Sequence, residues 1–260
     1  CKKQIQHLRR CLLAHTFLPV DPLQEKPAIS HRSNVIRSNL PYAYYLEQVD
    51  HIDALPGYAQ GSFFMQDIGS MQVVELAGIK PGDAVIDVCA APGGKAMHAL
   101  AKLHGKGSVQ ARDLTENKVS MIEENIERCA GAADAIEVLV RDARILDPQA
   151  VEKADVIIAD LPCSGLGVIG RKSDIKYRMT PEQVADIAAL QREILSVVWQ
   201  YVKPGGILMY STCTLTKAEN QDNRDWFLEN SPFTLLEEKE LLPSAETDGF
   251  YMIKCRRNKA

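Results

Sequence analysis

Short apolar runs of strand length alternate with longer amphipathic segments over residues 84–212, and this alternation constrains the fold more than any other feature of the sequence. The five strand-like runs are AVIDV (84–88), SVQARD (108–113), AIEVLV (135–140), ADVIIAD (154–160) and GILMYST (206–212). Continuous apolar runs are typical of parallel strands that are buried between helices. The pattern therefore predicts an α/β fold with a doubly wound, Rossmann-like sheet.

The segments between the predicted strands have helix start and stop signals. One helix is expected from about Lys95, and Asp67 is predicted to cap an earlier one. The longest helix is predicted to start with Thr180 as its cap and Pro181 at its first position. The run Lys203-Pro204-Gly205-Gly206 is expected to stop it. Helices of this kind supply the crossover connections that parallel strands need.

The composition fits one large domain with a smaller appendage. The chain has 260 residues, of which 46% are hydrophobic, enough for a substantial core. No stretch approaches the roughly 18 to 20 consecutive apolar residues of a membrane span, and the N-terminal segment lacks an apolar signal core. The seven cysteines are an odd number without zinc-type spacing. We therefore expect a cytoplasmic protein with reduced thiols, no metal and no membrane partner.

Charge is distributed unevenly along the chain, although the formal net charge is only −4. Residues 1–40 contain seven Lys and Arg against two acidic residues, which gives +5. A second basic run, GRKSDIKYR, covers residues 170–178, and a third ends the chain at residues 254–259. Three basic segments in an otherwise acidic chain indicate a polyanion that is bound at local sites.

Each of the first four predicted strands ends on an aspartate or is followed by one. These residues are Asp87, Asp113, Asp142 and Asp160. A single aspartate at such a place is usually a turn or cap residue. Ligands of doubly wound sheets bind beyond the carboxyl ends of the strands, so four aspartates on consecutive strands favour a ligand site there.

The segment DVCAAPGGK (87–95) leaves the first strand through a Gly-Gly turn and enters a helix. Gly93 and Gly94 let the backbone approach a ligand, and the helix N-terminus favours a negative group. The segment has neither the G-x-G-x-x-G order nor the P-loop spacing. Asp113, 26 residues after Asp87, is suited to bind ribose hydroxyls. These features fit S-adenosylmethionine, which joins an adenosine to an amino acid.

Two cysteines follow neighbouring predicted strands, in the polar segments DLPCSGLG (160–167) and YSTCT (210–214). Cys163 and Cys213 therefore differ from the ordinary buried cysteine, which behaves as a small hydrophobic residue. A thiol with a pKa of about 8.5 is mostly protonated at neutral pH, so catalysis by a thiol needs positive charge nearby. Lys95 and the second basic run are candidates for that charge.

Together these segments resemble the RNA (cytosine-5) methyltransferase family, and within it the bacterial 16S ribosomal RNA methyltransferase B (Sun/Fmu) branch. The similarity runs from about residue 55 to residue 254, and its specific segments are DVCAAPGGK, DLPCSGLGVIGRKSDIKYR and YSTCTLTKAENQ. The pairing of P-C-S-G with S-T-C on two different strands is its most specific feature. The resemblance implies an S-adenosylmethionine-dependent enzyme that methylates C5 of a cytosine in RNA, expected to be 16S ribosomal RNA.

The resemblance also implies roles for individual residues. Cys213 is the nucleophile that adds to C6 of the cytosine, and Cys163 assists the later elimination. Asp160 and Lys95 lie beside both reactants. A covalent step is chemically needed, because C5 of a neutral pyrimidine is a poor nucleophile until the aromaticity of the ring is broken. The implied cofactor-binding residues are Cys89, Ala90, Ala91, Pro92, Gly93, Gly94 and Lys95 for the methionine part, Asp113 for the ribose, Asp142 for the adenine and Asp160 for the amino end. The implied RNA-binding residues are Arg171, Lys172, Lys176 and Arg178.

The pattern of the chain changes near residue 60. We expect residues 1–60 to form a small N-terminal α+β subdomain that binds RNA, and residues 61–260 to form the methyltransferase catalytic domain. The chain starts at Cys1 rather than Met, so this subdomain could be truncated. A monomer is expected, and its target base must be unstacked or flipped out of a helix to reach the site.

Three alternatives stay open at this point. A DNA cytosine-5 methyltransferase has its nucleophile in a P-C motif like that around Cys163, but the second motif cysteine, Cys213, argues against it. A non-catalytic RNA-binding or ribosome assembly factor would keep the cofactor fold without turnover, which does not explain both cysteines and all four aspartates. An NAD-dependent dehydrogenase on the same sheet would need the glycine fingerprint that is missing here.

Overall fold

The computed structural model describes residues 10–14, 34–47, 51–55, 57–129, 135–244 and 246–259. The first strands form a small antiparallel sheet in the order β2-β3-β1-β4. Its strands are β1 (Arg10–Ala14), β2 (Asn34–Arg37), β3 (Ala43–Glu47) and β4 (Phe63–Met65). The last of these strands follows residue 60, and the division of the chain at that residue stays a prediction.

The larger part of the molecule alternates helices and strands before it ends in two long strands. Its elements are α1 (Ile68–Ala77), β5 (Ala84–Asp87), α2 (Gly94–Leu103), β6 (Ser108–Asp113), α3 (Glu116–Arg128), β7 (Ile136–Val140), β8 (Ala154–Asp160), α4 (Ile175–Arg178), α5 (Pro181–Val198), β9 (Val202–Thr212), α6 (Gln221–Asn230), β10 (Phe233–Leu241) and β11 (Phe250–Arg257). Short 3-10 helices cover Leu166–Val168 and Trp199–Tyr201.

Seven strands form the main sheet in the order β10-β11-β9-β8-β5-β6-β7. The five strands from β9 to β7 are parallel, and these are the five strands that the sequence predicts. The chain order reverses between β5 and β8, which places a ligand crevice beyond the carboxyl ends of these strands. The predicted doubly wound, Rossmann-like fold is confirmed. β11 pairs antiparallel with β9 and β10 with β11, an addition that the alternation did not predict.

Helix boundaries agree with the capping signals except at one end. The Asp67 side chain accepts a hydrogen bond from the Gly69 N–H, and Thr180 and Gln183 form a capping box at α5. The prediction that α5 runs to residues 203–206 is wrong, because the helix ends at Val198. Residues 203–206 lie in β9, where the pairing with β8 is irregular and tolerates proline and glycine.

Apolar side chains from the sheet alternate between two core clusters, one on each face. Val85 belongs to the cluster that contains buried residues of α1, α2 and α3, whereas Ile86 belongs to the cluster with α5 and α6. Tyr45 and Phe64 of the small sheet share the first cluster, so the small sheet packs on that face. None of the helices among the described residues has the length and apolar character to cross a bilayer.

Candidate active site

The two predicted site cysteines meet beyond the carboxyl ends of β8 and β9. These strands pair in parallel with Asp160 opposite Ser211, so the loops that follow them leave the sheet side by side. The Cys163 and Cys213 sulfur atoms lie 3.0 Å apart, within hydrogen-bond distance for thiols. Both side chains are half-buried, so the pair stays open to a ligand from the crevice.

The two thiols have different protonation preferences. The hydrogen bond from Cys163 lowers the pKa of Cys213, and the positive charge of Lys95 acts in the same direction. The same hydrogen bond, together with burial, raises the pKa of Cys163 well above its ordinary value. Of the two thiols, Cys213 is therefore the one that loses its proton more readily, and the thiolate is the reactive form of cysteine.

Lys95 and Asp160 form an ion pair beside the thiols. Lys95 Nζ lies 2.5 Å from Asp160 Oδ2 and donates a hydrogen bond to Ser70 Oγ at 3.0 Å. Ser211 Oγ donates to the other oxygen of Asp160 at 2.7 Å. Burial alone would lower the pKa of Lys95, but the Asp160 carboxylate raises it above the ordinary value, so the ammonium stays charged. Sequence reasoning missed Ser70, since a serine inside a helix of another segment gives no local signal.

The segment after β5 wraps the same end of the sheet. The Ala90 N–H donates to the Arg112 carbonyl, and the Ala91 N–H donates to Asp113 Oδ2 at 3.0 Å. Gly93 has a φ of 102°, the left-handed region that favours glycine, and α2 begins at the next residue. The structure therefore brings the predicted cofactor segment, residues 89–95, against the end of β6.

Asp87 is a buried carboxylate that lies near the Cys89 N–H and the Lys95 charge, which both act to lower its pKa. Its side chain is fully buried at the end of β5, and neither oxygen has a hydrogen-bond partner of normal geometry among the described residues. Burial raises the pKa of Asp87 to about 7. A buried acceptor of this kind needs a donor, and an ammonium group supplies both hydrogen bonds and charge. The amino end of S-adenosylmethionine fits this requirement.

The other strand-end aspartates differ in how they are engaged. Asp113 accepts hydrogen bonds from the Leu114 and Ala91 N–H groups and pairs with Lys118 at 3.0 Å. A carboxylate accepts about four hydrogen bonds, so one position is left for a ribose hydroxyl. Asp142 binds the side chain of Arg144 through both oxygens, which lowers its pKa. Its expected contact with adenine stays a prediction.

The predicted RNA-binding residues occupy an exposed stretch after Cys163. Lys172, Lys176 and Arg178 are exposed, and Arg178 makes a surface ion pair with Asp174. Their role in RNA binding stays a prediction.

Arg171 differs from its three basic neighbours. Its guanidinium pairs with Asp67 at 2.9 Å and with Asp248 at 3.1 Å. These two ion pairs tie the loop after Cys163 to the start of α1 and to the turn before β11. Sequence reasoning missed this bridge, because both partners are far away along the chain.

Solved structures identify the class of this fold. A methyltransferase homologue from Pyrococcus horikoshii aligns with a TM-score of 0.80 and 26% identity over 96% of this chain and 87% of its own. NSun6 from Pyrococcus horikoshii, solved with SFG, aligns with a TM-score of 0.75 and 29% identity over 83% of this chain and 58% of its own. The protein has an α/β, Rossmann-like methyltransferase fold.

Sequence comparisons narrow this class to one family. The family model described as 16S rRNA methyltransferase RsmB/F matches residues 74–255. Ribosomal RNA small subunit methyltransferase B of Cronobacter sakazakii is 36% identical over 229 residues, which cover 84% of this chain and 52% of that protein. The chain belongs to the RsmB/F methyltransferase family, and it spans about half the length of the curated relatives it matches.

Proposed function

We propose that this chain transfers a methyl group from S-adenosylmethionine to C5 of a cytosine in RNA, with Cys213 as the covalent nucleophile and 16S ribosomal RNA as the substrate. The observation that carries the proposal is the thiol pair at the edge of the sheet, in which the Cys163 and Cys213 sulfur atoms lie 3.0 Å apart and the hydrogen bond between them lowers the pKa of Cys213. Family membership supports methyl transfer to ribosomal RNA, since the family is described as 16S rRNA methyltransferase RsmB/F and the matched relatives are named ribosomal RNA small subunit methyltransferase B.

The cofactor would be held by the segment from Cys89 to Lys95, with Asp87 and Asp160 near its amino end and Asp113 at its ribose. When bound, S-adenosylmethionine supplies an electrophilic methyl group on a sulfonium sulfur. The unpartnered carboxylate of Asp87 supports this assignment, because it needs a buried donor. The positive φ of Gly93 turns this segment into α2, and the missing side chain lets the turn pack against Ile122.

Cys213 prepares the base for methylation. Its Sγ bonds to C6, and the π electrons of the C5–C6 double bond shift onto C5. C5 thereby becomes the carbon nucleophile that takes the methyl group. The Lys95–Asp160 pair lies beside the sulfur and is held by Ser211. These groups are positioned before the substrate arrives, which is the arrangement that electrostatic catalysis requires.

Cys163 acts when the product is released. The proton on C5 is lost to solvent, the C5–C6 double bond re-forms, and the bond between C6 and Sγ of Cys213 breaks. The departing sulfur regains its negative charge, and the Cys163 thiol, whose sulfur lies 3.0 Å away in the resting structure, donates a hydrogen bond to it. The raised pKa of Cys163 suits this role, because it keeps the donor proton in place at neutral pH.

The nucleic-acid substrate would contact the exposed basic stretch that follows Cys163. Lys172, Lys176 and Arg178 would contact phosphates, and the target cytosine would have to leave any helix to reach Cys213. Arg171 would act by holding the stretch in place through Asp67 and Asp248. A monomer in the cytoplasm is the expected form.

Incubation with a radiolabelled methyl donor tests the proposal. The substrates would be total RNA and small ribosomal subunits from cells that lack the activity, and the labelled base would be mapped. We expect label on C5 of a cytosine in 16S ribosomal RNA, together with tritium release from cytosine labelled at C5. Label on an exocyclic amino group, or on DNA alone, would contradict the proposal.

A further inference from the structure

A buried carboxylate outside the proposed catalytic set joins the two cysteine loops. Glu219 lies between β9 and α6, and its side chain is fully buried. Ser164, the residue after Cys163, donates to Glu219 twice, from its N–H at 2.8 Å and from its hydroxyl at 2.5 Å. Thr216 and Gln191 donate to the same carboxylate at 2.7 and 3.1 Å. The carboxylate thus accepts from four donors, which offsets the cost of its burial.

The hydrogen bonds at Glu219 also fix the donor and acceptor in the next bond, which leads to the loop that contains Cys213. The Ser164 hydroxyl gives its proton to Glu219, so at its 2.8 Å contact with the Thr214 hydroxyl it must be the acceptor. Thr214 is the residue after Cys213, and it is fully buried. One carboxylate therefore orders a chain of two hydroxyls, each directly adjacent to one of the paired cysteines.

The next residue, Asn220, holds the Cys213 loop from both sides. Its side-chain oxygen accepts from the Thr212 hydroxyl at 2.6 Å, and its amide donates to the Thr214 carbonyl at 3.0 Å. The segment 219–220 consequently fixes the backbone on either side of Cys213, while the Ser164 N–H fixes the loop of Cys163 to the same segment. These bonds add to the backbone hydrogen bond from the Gly167 N–H to the Cys213 carbonyl, which joins the same two loops.

We propose that Glu219 is a positioning residue that sets the separation of the Cys163 and Cys213 sulfur atoms by holding Ser164 and Thr214 in one buried hydrogen-bond chain. Glu219 is fully buried, and its side chain is occupied by the four donors named above. Its effect on catalysis passes through the thiol pair: if the sulfurs move apart, Cys213 loses the donor that stabilises its thiolate. The inference deepens the proposed function and rests on it for its meaning in catalysis, but the sulfur geometry can be measured without any methyl transfer.

The test is the alkylation rate of Cys213 as a function of pH, followed by mass spectrometry of the peptide that contains it. Glu219→Gln replaces one carboxylate oxygen with an amide N–H, which cannot accept from the existing donors. It also removes the negative charge that orients the Ser164 and Thr214 hydroxyls. We expect its Cys213 to be alkylated about tenfold more slowly than in the unaltered chain at pH 7, with the midpoint of the pH profile moved upward. Glu219→Asp keeps the charge and should restore part of the rate.

Asp155→Asn is the matched control. Asp155 also accepts from a backbone N–H, that of Ala84, and from a charged side chain, that of Lys203, but it lies near the opposite end of β8. The control should leave the pH profile of Cys213 alkylation unchanged while it lowers the melting temperature of the protein. If Glu219→Gln fails to fold, Ser164→Ala serves instead, because it removes the hydroxyl relay and keeps the backbone bond to Glu219.

Two results would overturn the inference. One is a folded Glu219→Gln, or Ser164→Ala in its place, with the Cys213 profile of the unaltered chain. The other is an equal slowing in Asp155→Asn, which would show a general loss of stability. Failure of the proposed function would look different: the Glu219 effect on alkylation would be present, but the unaltered chain would not methylate cytosine in RNA.

Discussion

At the scale of single residues, the site depends on charges that are held in place by burial. Lys95 keeps its charge because Asp160 lies against it, and the hydrogen bond with Cys163 lowers the pKa of Cys213. Asp87 is the exception, a buried carboxylate that no described residue satisfies. Such a group costs stability in the free protein and is expected to recover that cost when a ligand supplies the missing donor.

Asp87→Asn should separate the stability cost of the buried carboxylate in the free protein from its contribution to ligand binding. Burial raises the pKa of Asp87 to about 7, so the folded state holds its proton more tightly than the unfolded state and loses stability as the pH rises from about 4 to 7. We expect the variant to be more stable than the unaltered chain at pH 8, by at most about 4 kcal/mol, and equally stable at pH 4. Thermal unfolding at both pH values measures the difference.

The same variant should bind the cofactor poorly. A lost hydrogen bond to a charged partner costs about 1.5–3 kcal/mol, or roughly 10- to 150-fold in affinity. Titration calorimetry with S-adenosylhomocysteine measures this loss, and Asp155→Asn serves as the control. Equal affinity of the variant and the unaltered chain would show that Asp87 does not face the ligand's ammonium group.

The candidate site residues could be predicted from the sequence better than the residues that support them. Cys163, Cys213 and Asp160 follow or end a strand, and the carboxyl ends of parallel strands meet at one edge, whereas Lys95, which lies in α2, was implied by the family resemblance. Glu219, by contrast, could not be predicted, because two of its three partner residues, Ser164 and Gln191, come from other parts of the chain. Hydrogen bonds between distant segments leave no local pattern in a single sequence.

At the scale of elements, close backbone contacts hold the loop after β8 against the loop after β9. The Gly167 N–H donates to the Cys213 carbonyl at 3.0 Å, and the Gly249 N–H donates to the Gly167 carbonyl at 2.9 Å. A Cβ on Gly167 would lie 2.2 Å from the Gly249 oxygen and 2.7 Å from the Cys213 oxygen. Only glycine lets the three backbones approach this closely.

Gly167→Ala should therefore displace the Cys213 loop. We expect a loss of about 1–3 kcal/mol in unfolding free energy and at least a tenfold loss of methylation rate. Gly170→Ala in the same loop is the control, since its Cβ would meet none of the described atoms within 4 Å. Denaturant unfolding and initial rates measure the two effects, and equal behaviour of the two variants would refute the packing argument.

The prediction of helices and strands succeeded where the hydrophobic periodicity and the capping or turn residues agreed. It failed at the C-terminal part of the main sheet. β6 and β8 have the predicted bounds, because apolar runs between turn residues define them. β10, FTLLEEKEL, lies at the sheet edge with mostly exposed charged residues, so its sequence resembles a solvated segment rather than a strand. The start of β9 was missed because its proline and glycines are typical of a turn.

At the scale of the whole molecule, one polar cluster connects the small sheet to the methyltransferase fold. The Tyr42 hydroxyl contacts the Glu75 carboxylate and lies 2.9 Å from His98 Nε2, while Lys102 pairs with Glu75 at 3.0 Å. Tyr42 precedes β3, whereas the other three residues lie on α1 and α2. Burial alone would raise the pKa of Glu75, but its hydrogen bonds to His98, Tyr42 and Lys102 lower it to about 2.

The lowered pKa of Glu75 predicts a pH dependence of stability. The unfolded chain takes up the proton near pH 4.5, so the contribution of Glu75 is complete above that pH and is lost as the pH falls toward 2. Glu75→Gln should remove about 2 kcal/mol at pH 7 and have little effect near pH 2. Urea unfolding of both chains across this range gives the difference, and a constant difference at all pH values would contradict the assignment.

The central claim is that Cys213 forms the covalent bond to the base and Cys163 is needed for its release. Its most direct measurement is the amount of protein–RNA adduct that survives denaturing electrophoresis after incubation with methyl donor and substrate RNA. We predict that Cys163→Ala accumulates the adduct, with the bond mapped to residue 213. We also predict that Cys213→Ala forms no adduct and transfers no methyl group. An adduct in Cys213→Ala, or its absence in a folded Cys163→Ala that still methylates RNA, would contradict it.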